Sequence, residues 1–263
     1  MTRVTERTLE ASIKAACKEL HTPTIAARAK ELSDDATRSQ QTFMSYLWAL
    51  LEAELEDRAE RRRARRIREA KFPRLKRLED FSFEDAPQIP VATINELATC
   101  AFVERAENVI LLGESGTGKS HLAIALGIAA CMQSRRVRFA TTAGLVNELL
   151  EARDDRVLSK IVARYGRVEL LILDELAYVP LAHPEAELLF QVLDERSELS
   201  SILMTTNLPF GEWTKVFPEA RLCKAIVDRL TFNAHIVETG TESWPFKKTL
   251  ERQRRKGVKR KTA

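Results

Sequence analysis

The 263-residue sequence holds few of the residues that disulfide frameworks and metal centres need, with four cysteines and four histidines. The cysteines, at positions 17, 100, 131 and 223, are far apart and show no C-x-x-C spacing, so we expect reduced, packed thiols. Long apolar runs are also missing, because the longest, about Leu122 to Met132, is too short to cross a bilayer. Nothing at the N-terminus resembles a signal peptide. We therefore expect a cytoplasmic protein with no membrane partner.

Glycine is absent from the first 80 residues, and a single proline precedes Lys71. Apolar residues recur there at helical spacing, at Phe43, Leu47, Leu50, Leu51 and Leu55. This pattern predicts an all-helical N-terminal domain over residues 1–80, in which the apolar stripe is a packing face and a long polar helix stops at Pro73. After a connector, Thr93-Ile-Asn-Glu96 predicts a capping box that opens a short helix.

Charge is distributed unevenly, although the net charge is only +4. Arg58 to Arg77 holds eleven basic and two acidic residues, and Lys247 to Lys261 holds nine basic and one acidic, so the rest of the chain carries −13. Basic segments at both margins of an acidic body favour a polyanionic partner. The alternative is a solvated arginine-rich helix and a basic tail over residues 247–263.

Three of the nine glycines lie in residues 113–120, Gly-Glu-Ser-Gly-Thr-Gly-Lys-Ser, between the apolar run 109–112 and a helix-like run from Leu122 to Met132. Such a loop turns its backbone N–H groups towards phosphate oxygens, and the helix dipole adds to the attraction. Lys119 would reach the terminal phosphates, and the Ser120 hydroxyl would hold Mg²⁺. A surface turn is the alternative, but the flanking pattern favours a nucleoside-triphosphate site.

Two carboxylates end a second apolar run, residues 170–173, at Asp174 and Glu175. At the carboxyl end of a parallel strand, Asp174 would face the phosphates and hold Mg²⁺, while Glu175 would orient or deprotonate an attacking water. A helix cap is the alternative, and the preceding phosphate loop makes a hydrolase arrangement the better interpretation.

Two further polar residues end apolar segments. Asn207 follows the run 202–206 and would bond the attacking water or the γ-phosphate; its alternative is a turn-forming residue before Pro209. Arg229 ends a helix-like segment and would act on a neighbouring subunit's γ-phosphate; its alternative is a surface pair with Asp228.

From Asn108 onward, strand-like and helix-like segments alternate, which predicts an α/β fold with a five-stranded parallel sheet covered by helices on both faces. Residues 143–165 are long for one crossover helix and predict an insertion. The expected strands are Val109–Leu112, Val137–Thr141, Leu170–Asp174, Ile202–Thr206 and His235–Glu238.

The combined motifs resemble the IstB-like ATPases, the transposition helpers of insertion sequences, from about His21 to Lys256. The segments that carry the resemblance are Gly113 to His121, Leu171 to Tyr178, Thr205 to Trp213, Ala225 to Leu230 and, in the leading region, Pro23-Thr-Ile-Ala26, Leu51-Glu-Ala-Glu54, Arg58 and Lys71-Phe-Pro-Arg-Leu-Lys76.

The resemblance implies a P-loop AAA+ domain over residues 81–246, related to bacterial initiators and DnaC-like helicase loaders, with ATP and Mg²⁺ as cofactors. It implies catalytic roles for Lys119, Glu175, Asn207 and Arg229, the last as a finger acting in trans. The metal ligands would be Ser120 and Asp174. The nucleotide-binding residues would be Gly113, Glu114, Ser115, Gly116, Thr117, Gly118, Lys119, Ser120 and His121.

The resemblance also implies a homo-oligomer with ATP sites between subunits, assembled on duplex DNA, and a partner transposase of the same element. The N-terminal domain would serve oligomerisation and DNA contact, and residues 143–165 would contain an extra helix directed at DNA. Expected DNA contacts are Arg61, Arg62, Arg65, Arg66, Arg153 and Lys160. One departure is that Pro245 follows Ser243-Trp244 where relatives commonly have an arginine that senses the nucleotide; Lys247 or Lys248 is the candidate replacement.

Three other functions remain open from the sequence. A DnaC-like helicase loader or replication factor shares every catalytic motif, and the arginine-rich segment ending in Lys71-Phe-Pro is what favours transposition. A DNA-coating protein would bind ATP without significant turnover. A small-molecule kinase needs an acceptor pocket and a lid that the sequence does not show, and Glu175 beside Asp174 favours water as the acceptor.

Overall fold

The computed structural model describes residues 6–178, 180–217 and 219–241. By its contacts the chain forms two compact units, which divide between Arg65 and Arg66, inside the third helix. Residues 66–80, which the sequence analysis placed in the N-terminal domain, belong to the second unit, because Ile67, Phe72 and Leu78 pack against its core. The segment around Ser243-Trp244 and the basic tail lie outside the described residues.

The first unit is helical, as predicted. It contains α1 (Glu6–Glu19), α2 (Pro23–Arg38) and most of α3 (Phe43–Ala70). Pro23 starts α2 because proline has the φ of a first helical turn and no N–H to satisfy. The Glu54 carboxylate of α3 accepts the N–H groups of Thr24 (2.9 Å) and Ile25 (3.2 Å), which are free at the start of α2.

The predicted packing face of α3 is largely uncovered by this chain. Leu50 is buried, but Phe43 and Leu55 are 93% and 61% exposed. The buried row of this helix consists of Leu50, Ala53 and Glu54. The exposed residues at every fourth position, from Phe43 to Leu55, lie on another side of the helix. Met44 and Trp48, which the stripe did not include, add to the exposed apolar surface.

The second unit contains a five-stranded sheet in the order β2-β3-β4-β1-β5, with every neighbouring pair parallel. This confirms the predicted sheet. Its strands are β1 (Asn108–Leu112), β2 (Val137–Thr141), β3 (Leu170–Leu176), β4 (Ser201–Thr206) and β5 (Ala234–Glu238).

Seven helices and two short 3-10 turns of the described residues accompany these strands. The helices are α4 (Val91–Ala98), α5 (Ala101–Glu104), α6 (Lys119–Met132), α7 (Thr142–Asp154), α8 (Leu158–Gly166), α9 (His183–Arg196) and α10 (Ala220–Thr231). The 3-10 turns are Leu78–Asp80 and Phe210–Lys215. The predicted capping box was wrong: α4 begins at Val91 after Pro90, so Thr93 lies inside the helix. None of the helices in the described ranges combines the length and apolarity that a membrane crossing requires.

Alternate residues of each strand pack into two separate cores, one on each face of the sheet, as expected for a sheet covered on both faces. On one face, Val109 and Leu111 pack with α4, α5 and α6; on the other, Ile110 packs with α7 to α10. Residues 143–165 form parts of two helices, α7 and α8, in place of a single crossover helix. Because β1 lies between β4 and β5, residues that follow β1, β3, β4 and β5 meet at one edge of the sheet.

A fully buried cation fixes the opposite edge. Arg196, at the end of α9, donates hydrogen bonds to the carbonyl oxygens of Tyr165, Val168 (3.0 Å) and Ser201 (2.7 Å). Burial lowers the pKa of Arg196 to about 9, so the charge is costly and the three carbonyls offset that cost. This one side chain joins the end of α8 to the segment that precedes β3 and to the first residue of β4.

Candidate nucleotide-binding site

The phosphate loop connects β1 to α6 with the backbone that its glycines allow. Gly116 and Gly118 have φ values of 82° and 94°, in the left-handed region that a side chain disfavours. Gly118 is required for a second reason, because a Cβ there would lie 2.6 Å from the Phe81 ring. The helix begins at Lys119, so its free N–H groups face the loop, as the sequence predicts.

Lys119 is held beneath this loop. Its Nζ donates to the carbonyl oxygens of Gly113 (2.6 Å) and Glu114 (2.7 Å). Burial lowers the pKa of Lys119, and the carboxylates of Asp174 and Glu114 oppose that shift. The two carbonyl oxygens occupy the kind of position that phosphate oxygens would take around an ammonium group.

Asp174 is the centre of a buried polar network. One carboxylate oxygen, Oδ1, accepts the hydroxyl of Ser120 (2.9 Å) on α6 and that of Thr205 (2.6 Å) on β4. The Thr205 Oγ1 in turn accepts the backbone N–H of Glu175 (2.9 Å). Ser120 and Asp174 are the predicted metal ligands, whereas Thr205, which contacts both carboxylate-bearing residues, was not predicted from the sequence.

Glu175 leaves the sheet through a β-bulge. The register of β3 with β4 shifts between Leu173 and Leu176, which inserts one extra residue into β3. Glu175 has a φ of 60°, unusual for a residue with a side chain, and its side chain is exposed and lines the cavity next to the loop. The bulge and the strained backbone at Glu175 thus direct two adjacent carboxylates differently: that of Asp174 is buried, and that of Glu175 faces the cavity.

Asn207 also lines this cavity, directly after β4. Its side chain makes no hydrogen bond with another residue of the described ranges. The turn before Pro209 is made by Thr206, whose Oγ1 accepts the N–H of Leu208 (3.2 Å). Asn207 is therefore available to a water or phosphate, which favours the predicted role over that of a turn former.

The cavity has a volume of about 570 Å³, and one wall comes from the connector before α4. Phe81 packs edge to face on His121, with ring centroids 5.2 Å apart, and the His121 Nε2 lies 2.9 Å from the Arg77 carbonyl oxygen. These contacts keep the connector against the loop. This wall was not predicted from the sequence, although Phe81 and Phe83 are the two aromatic residues of the connector. Its further members are Lys76, Asp80, Ser82, Asp85 and Ala86, and Tyr178 lies opposite.

Thr239, directly after β5, supports the loop from behind. Its buried Oγ1 lies 2.6 Å from the Thr117 Oγ1, and its N–H donates to the Leu112 carbonyl (2.7 Å). The next carbonyl, of Gly240, accepts the N–H of Glu114 (3.0 Å). A Cβ on Gly113 would lie 2.4 Å from Thr239 Oγ1, so Gly113 is needed for this close approach. No sequence motif marks Thr239.

Seven of the nine predicted nucleotide-binding residues, Ser115 to His121, line the cavity. Gly113 and Glu114 lie behind it, where their backbones hold Lys119 and contact residues 239–240. Arg229 is not among the lining residues; its Nε donates to Asp194 Oδ1 (3.0 Å) on the surface, so the acidic partner of Arg229 is Asp194 and not Asp228, the partner in the alternative interpretation.

The predicted DNA-contacting residues are in different situations. Arg61 pairs with Asp57, and Arg153 pairs with its neighbour Asp154. Arg66 is largely covered, because its Nε donates to the Ser134 carbonyl (3.1 Å). The others, Arg62, Arg65 and Lys160, are exposed.

The donor set fits a nucleoside triphosphate with Mg²⁺. Oxygen ligands, a hydroxyl and a carboxylate, are available together at Ser120 and Asp174, and Mg²⁺ prefers such ligands. An ammonium group, a helix N-terminus and glycine N–H groups surround the space where phosphates would lie. The site is therefore that of a P-loop nucleotide-binding domain.

Comparison with known proteins identifies the family. The model of the IstB-like ATP-binding proteins matches residues 15–252, and the chain belongs to this family. An insertion-sequence ATP-binding protein of Sinorhizobium fredii is 37% identical over 94% of this chain and 84% of its own length. An ATP-binding protein of the insertion sequence IS21 from Pseudomonas aeruginosa is 36% identical over 87% of this chain and 85% of its own.

Solved structures share the fold of the second unit. AMPPCP-bound DnaA from Aquifex aeolicus has a TM-score of 0.53 at 20% identity, over 64% of this chain and half of that chain. DnaI has a TM-score of 0.50 at 22% identity, over 62% of this chain and 90% of its own. The predicted AAA+ P-loop fold is thus confirmed.

Proposed function

We propose that this protein is a Mg²⁺-dependent ATP hydrolase that assembles on duplex DNA as an oligomer and stimulates the transposase of its own insertion sequence. The observation that carries the proposal is the pair of carboxylates at the end of β3. Asp174 is buried against Ser120, while Glu175 is exposed to the cavity one residue later.

The two carboxylates divide the work of hydrolysis. Mg²⁺ would supply charge neutralisation between the phosphates, and Ser120 and Asp174 would hold it. Lys119 would exchange its loop carbonyls for phosphate oxygens at little cost, because its ammonium is already desolvated. Glu175 and Asn207 face the cavity from adjacent strands and would orient the attacking water, with Glu175 accepting its proton.

Self-association is supported by two separate surfaces. Arg229 lies outside its own cavity in an exposed pair with Asp194, and such pairs contribute at most about 1 kcal/mol, so a neighbour's γ-phosphate would replace Asp194 readily. In the first unit, the exposed side chains of Met44, Trp48, Leu51 and Leu55 are spaced four, three and four residues apart. That spacing is the one by which helices associate through heptads.

DNA binding is supported by charge. The predicted contacts Arg62, Arg65 and Lys160 are exposed, and the last lies on α8, the second helix between β2 and β3. Arginine and lysine side chains on a surface of this kind bind phosphates without regard to sequence. The N-terminal helices would thus serve both assembly and DNA contact, with the basic tail adding to the second role.

A transposase is the preferred partner because the relatives are encoded by insertion sequences. A replicative helicase is the alternative, as for the helicase loaders, and a DNA-coating role without turnover is the third.

The test measures phosphate release and strand transfer by the purified transposase, each with and without this protein and duplex DNA. We expect duplex to raise ATP turnover and ATP, but not ADP, to support assembly on DNA and strand transfer. If the protein binds ATP but shows no turnover at any duplex concentration, the DNA-coating role is established instead of hydrolysis. Stimulation of a replicative helicase, without effect on the transposase, would establish the loader instead.

A further inference from the structure

A second cavity, of about 360 Å³, opens at the edge of the sheet opposite to the nucleotide site. Arg136 and Arg138 line it at the start of β2, and Arg167 lines it just before β3. In a parallel sheet these are amino ends of strands, whereas the phosphate loop follows the carboxyl end of β1. The cavity therefore has no part in holding the nucleotide of its own subunit.

The lining is strongly basic. Five of its side chains are arginines, Arg66, Arg136, Arg138, Arg164 and Arg167, and its one carboxylate is Glu69. Nearby carboxylates balance part of this charge: Glu69 pairs with Arg66 (3.2 Å), Glu169 with Arg136 (3.3 Å) and Glu148 with Arg164. Five guanidinium groups thus face three carboxylates.

Two of the arginines keep unused donors. The Nε of Arg138 is buried and has no hydrogen-bond acceptor among the described residues. Arg167 is exposed and forms no ion pair within the described ranges. A buried N–H without an acceptor is unfavourable, and an anionic oxygen placed in the cavity would satisfy it.

The geometry points to a phosphate-binding site for the backbone of duplex DNA, in which Arg138 and Arg167 contact phosphate oxygens. Planar guanidinium groups bind phosphates through paired N–H donors, and several in one cavity suit a polyanion better than a single carboxylate. Arg66 lies in the last two turns of α3, within the arginine-rich sequence that begins at Arg58. This inference rests on the proposed DNA binding and places part of it on the ATPase unit.

The test is the salt dependence of duplex binding, measured by fluorescence anisotropy with a non-hydrolysable ATP analogue present. Log affinity falls with log salt concentration, and each phosphate contact makes this slope steeper by about 0.9. The double variant Arg138→Gln/Arg167→Gln should therefore make the slope less steep by about 2 and weaken duplex binding by more than about ten-fold at 100 mM salt. The matched control, Arg105→Gln/Lys215→Gln, removes the same charge from exposed ion pairs with Glu107 and Glu212 and should keep the wild-type slope.

Folding is checked by thermal melting and by ATP turnover without DNA, which both double variants should retain. Should Arg138→Gln prove unstable, Arg167→Gln alone should make the slope less steep by about 1, because Arg167 is exposed and has no ion pair to lose within the described ranges. A double variant that matches the control overturns the site while leaving DNA binding intact. Absence of duplex binding by the wild-type protein overturns both proposals. If the double variant keeps the wild-type salt slope but no longer binds the purified transposase, the cavity contacts a protein partner and the DNA assignment is overturned.

Discussion

Removal of the Thr239 hydroxyl should weaken nucleotide binding through the phosphate loop alone. The Oγ1 atoms of Thr239 and Thr117 are 2.6 Å apart, so one hydroxyl must donate to the other. If Thr239 donates, Thr117 bonds the Glu114 carbonyl (2.9 Å); if Thr117 donates, Thr239 bonds the Leu112 carbonyl (3.2 Å). In either direction the hydroxyl chain ends on a carbonyl at or beside the loop.

Thr239→Val breaks this chain. A neutral hydrogen bond contributes about 1 kcal/mol, which corresponds to about a five-fold change in an equilibrium constant. If the pair holds the loop ready for phosphates, the dissociation constant for ATP should rise about five-fold. Thr239→Ser keeps the hydroxyl and should bind nearly as the wild type does. Thr239→Ala should bind ATP as weakly as Thr239→Val does. That result would show that the added methyl group of valine does not cause the loss of affinity.

The assay is titration with a fluorescent ATP analogue, alongside urea unfolding. Thr99→Val is the matched control, because the Thr99 hydroxyl donates to the Glu96 carbonyl (2.7 Å) at the end of α4. That variant should lose stability without losing nucleotide affinity. If Thr239→Val loses stability to the same extent and binds ATP with wild-type affinity, Thr239 is only a packing residue and its hydroxyl has no role in nucleotide binding.

Three further outcomes are expected. Lys119→Ala should lose ATP binding, whereas Glu175→Gln should retain it and release phosphate at least about 100-fold more slowly, because only the proton acceptor is removed; turnover at the wild-type rate would exclude Glu175 from this role. Arg229→Ala should bind ATP and hydrolyse it poorly, and mixing it with Lys119→Ala should restore phosphate release, unless the finger acts in cis. Arg196→Met should cost about 3 kcal/mol in urea unfolding, because three hydrogen bonds from the guanidinium group are lost at about 1 kcal/mol or more each; a variant as stable as the wild type would show that the desolvation cost of the charge cancels these bonds.

Much of the sheet and loop was predictable because their signals are local. Apolar runs with turn residues between them gave all five strands to within two residues at either end. Gly116 and Gly118 have the positive φ values that the loop motif requires. The start of α4 was misplaced because Pro90 outweighed the capping pattern at Thr93, since proline favours the entry to a helix.

The sequence by itself determined the phosphate loop, the carboxylates at the end of β3 and the alternation of strands and helices, since each depends on residues that are neighbours in the chain. Only the tertiary structure decided which residues support them. Thr205 reaches Asp174 because of the strand order, and Thr239 and Phe81 reach the loop because of the strand order and the path of the connector. The basic cavity likewise needs β2, β3, α3 and α8 to meet. Contacts between residues so distant in sequence depend on the packing of the whole unit, and no local pattern encodes them.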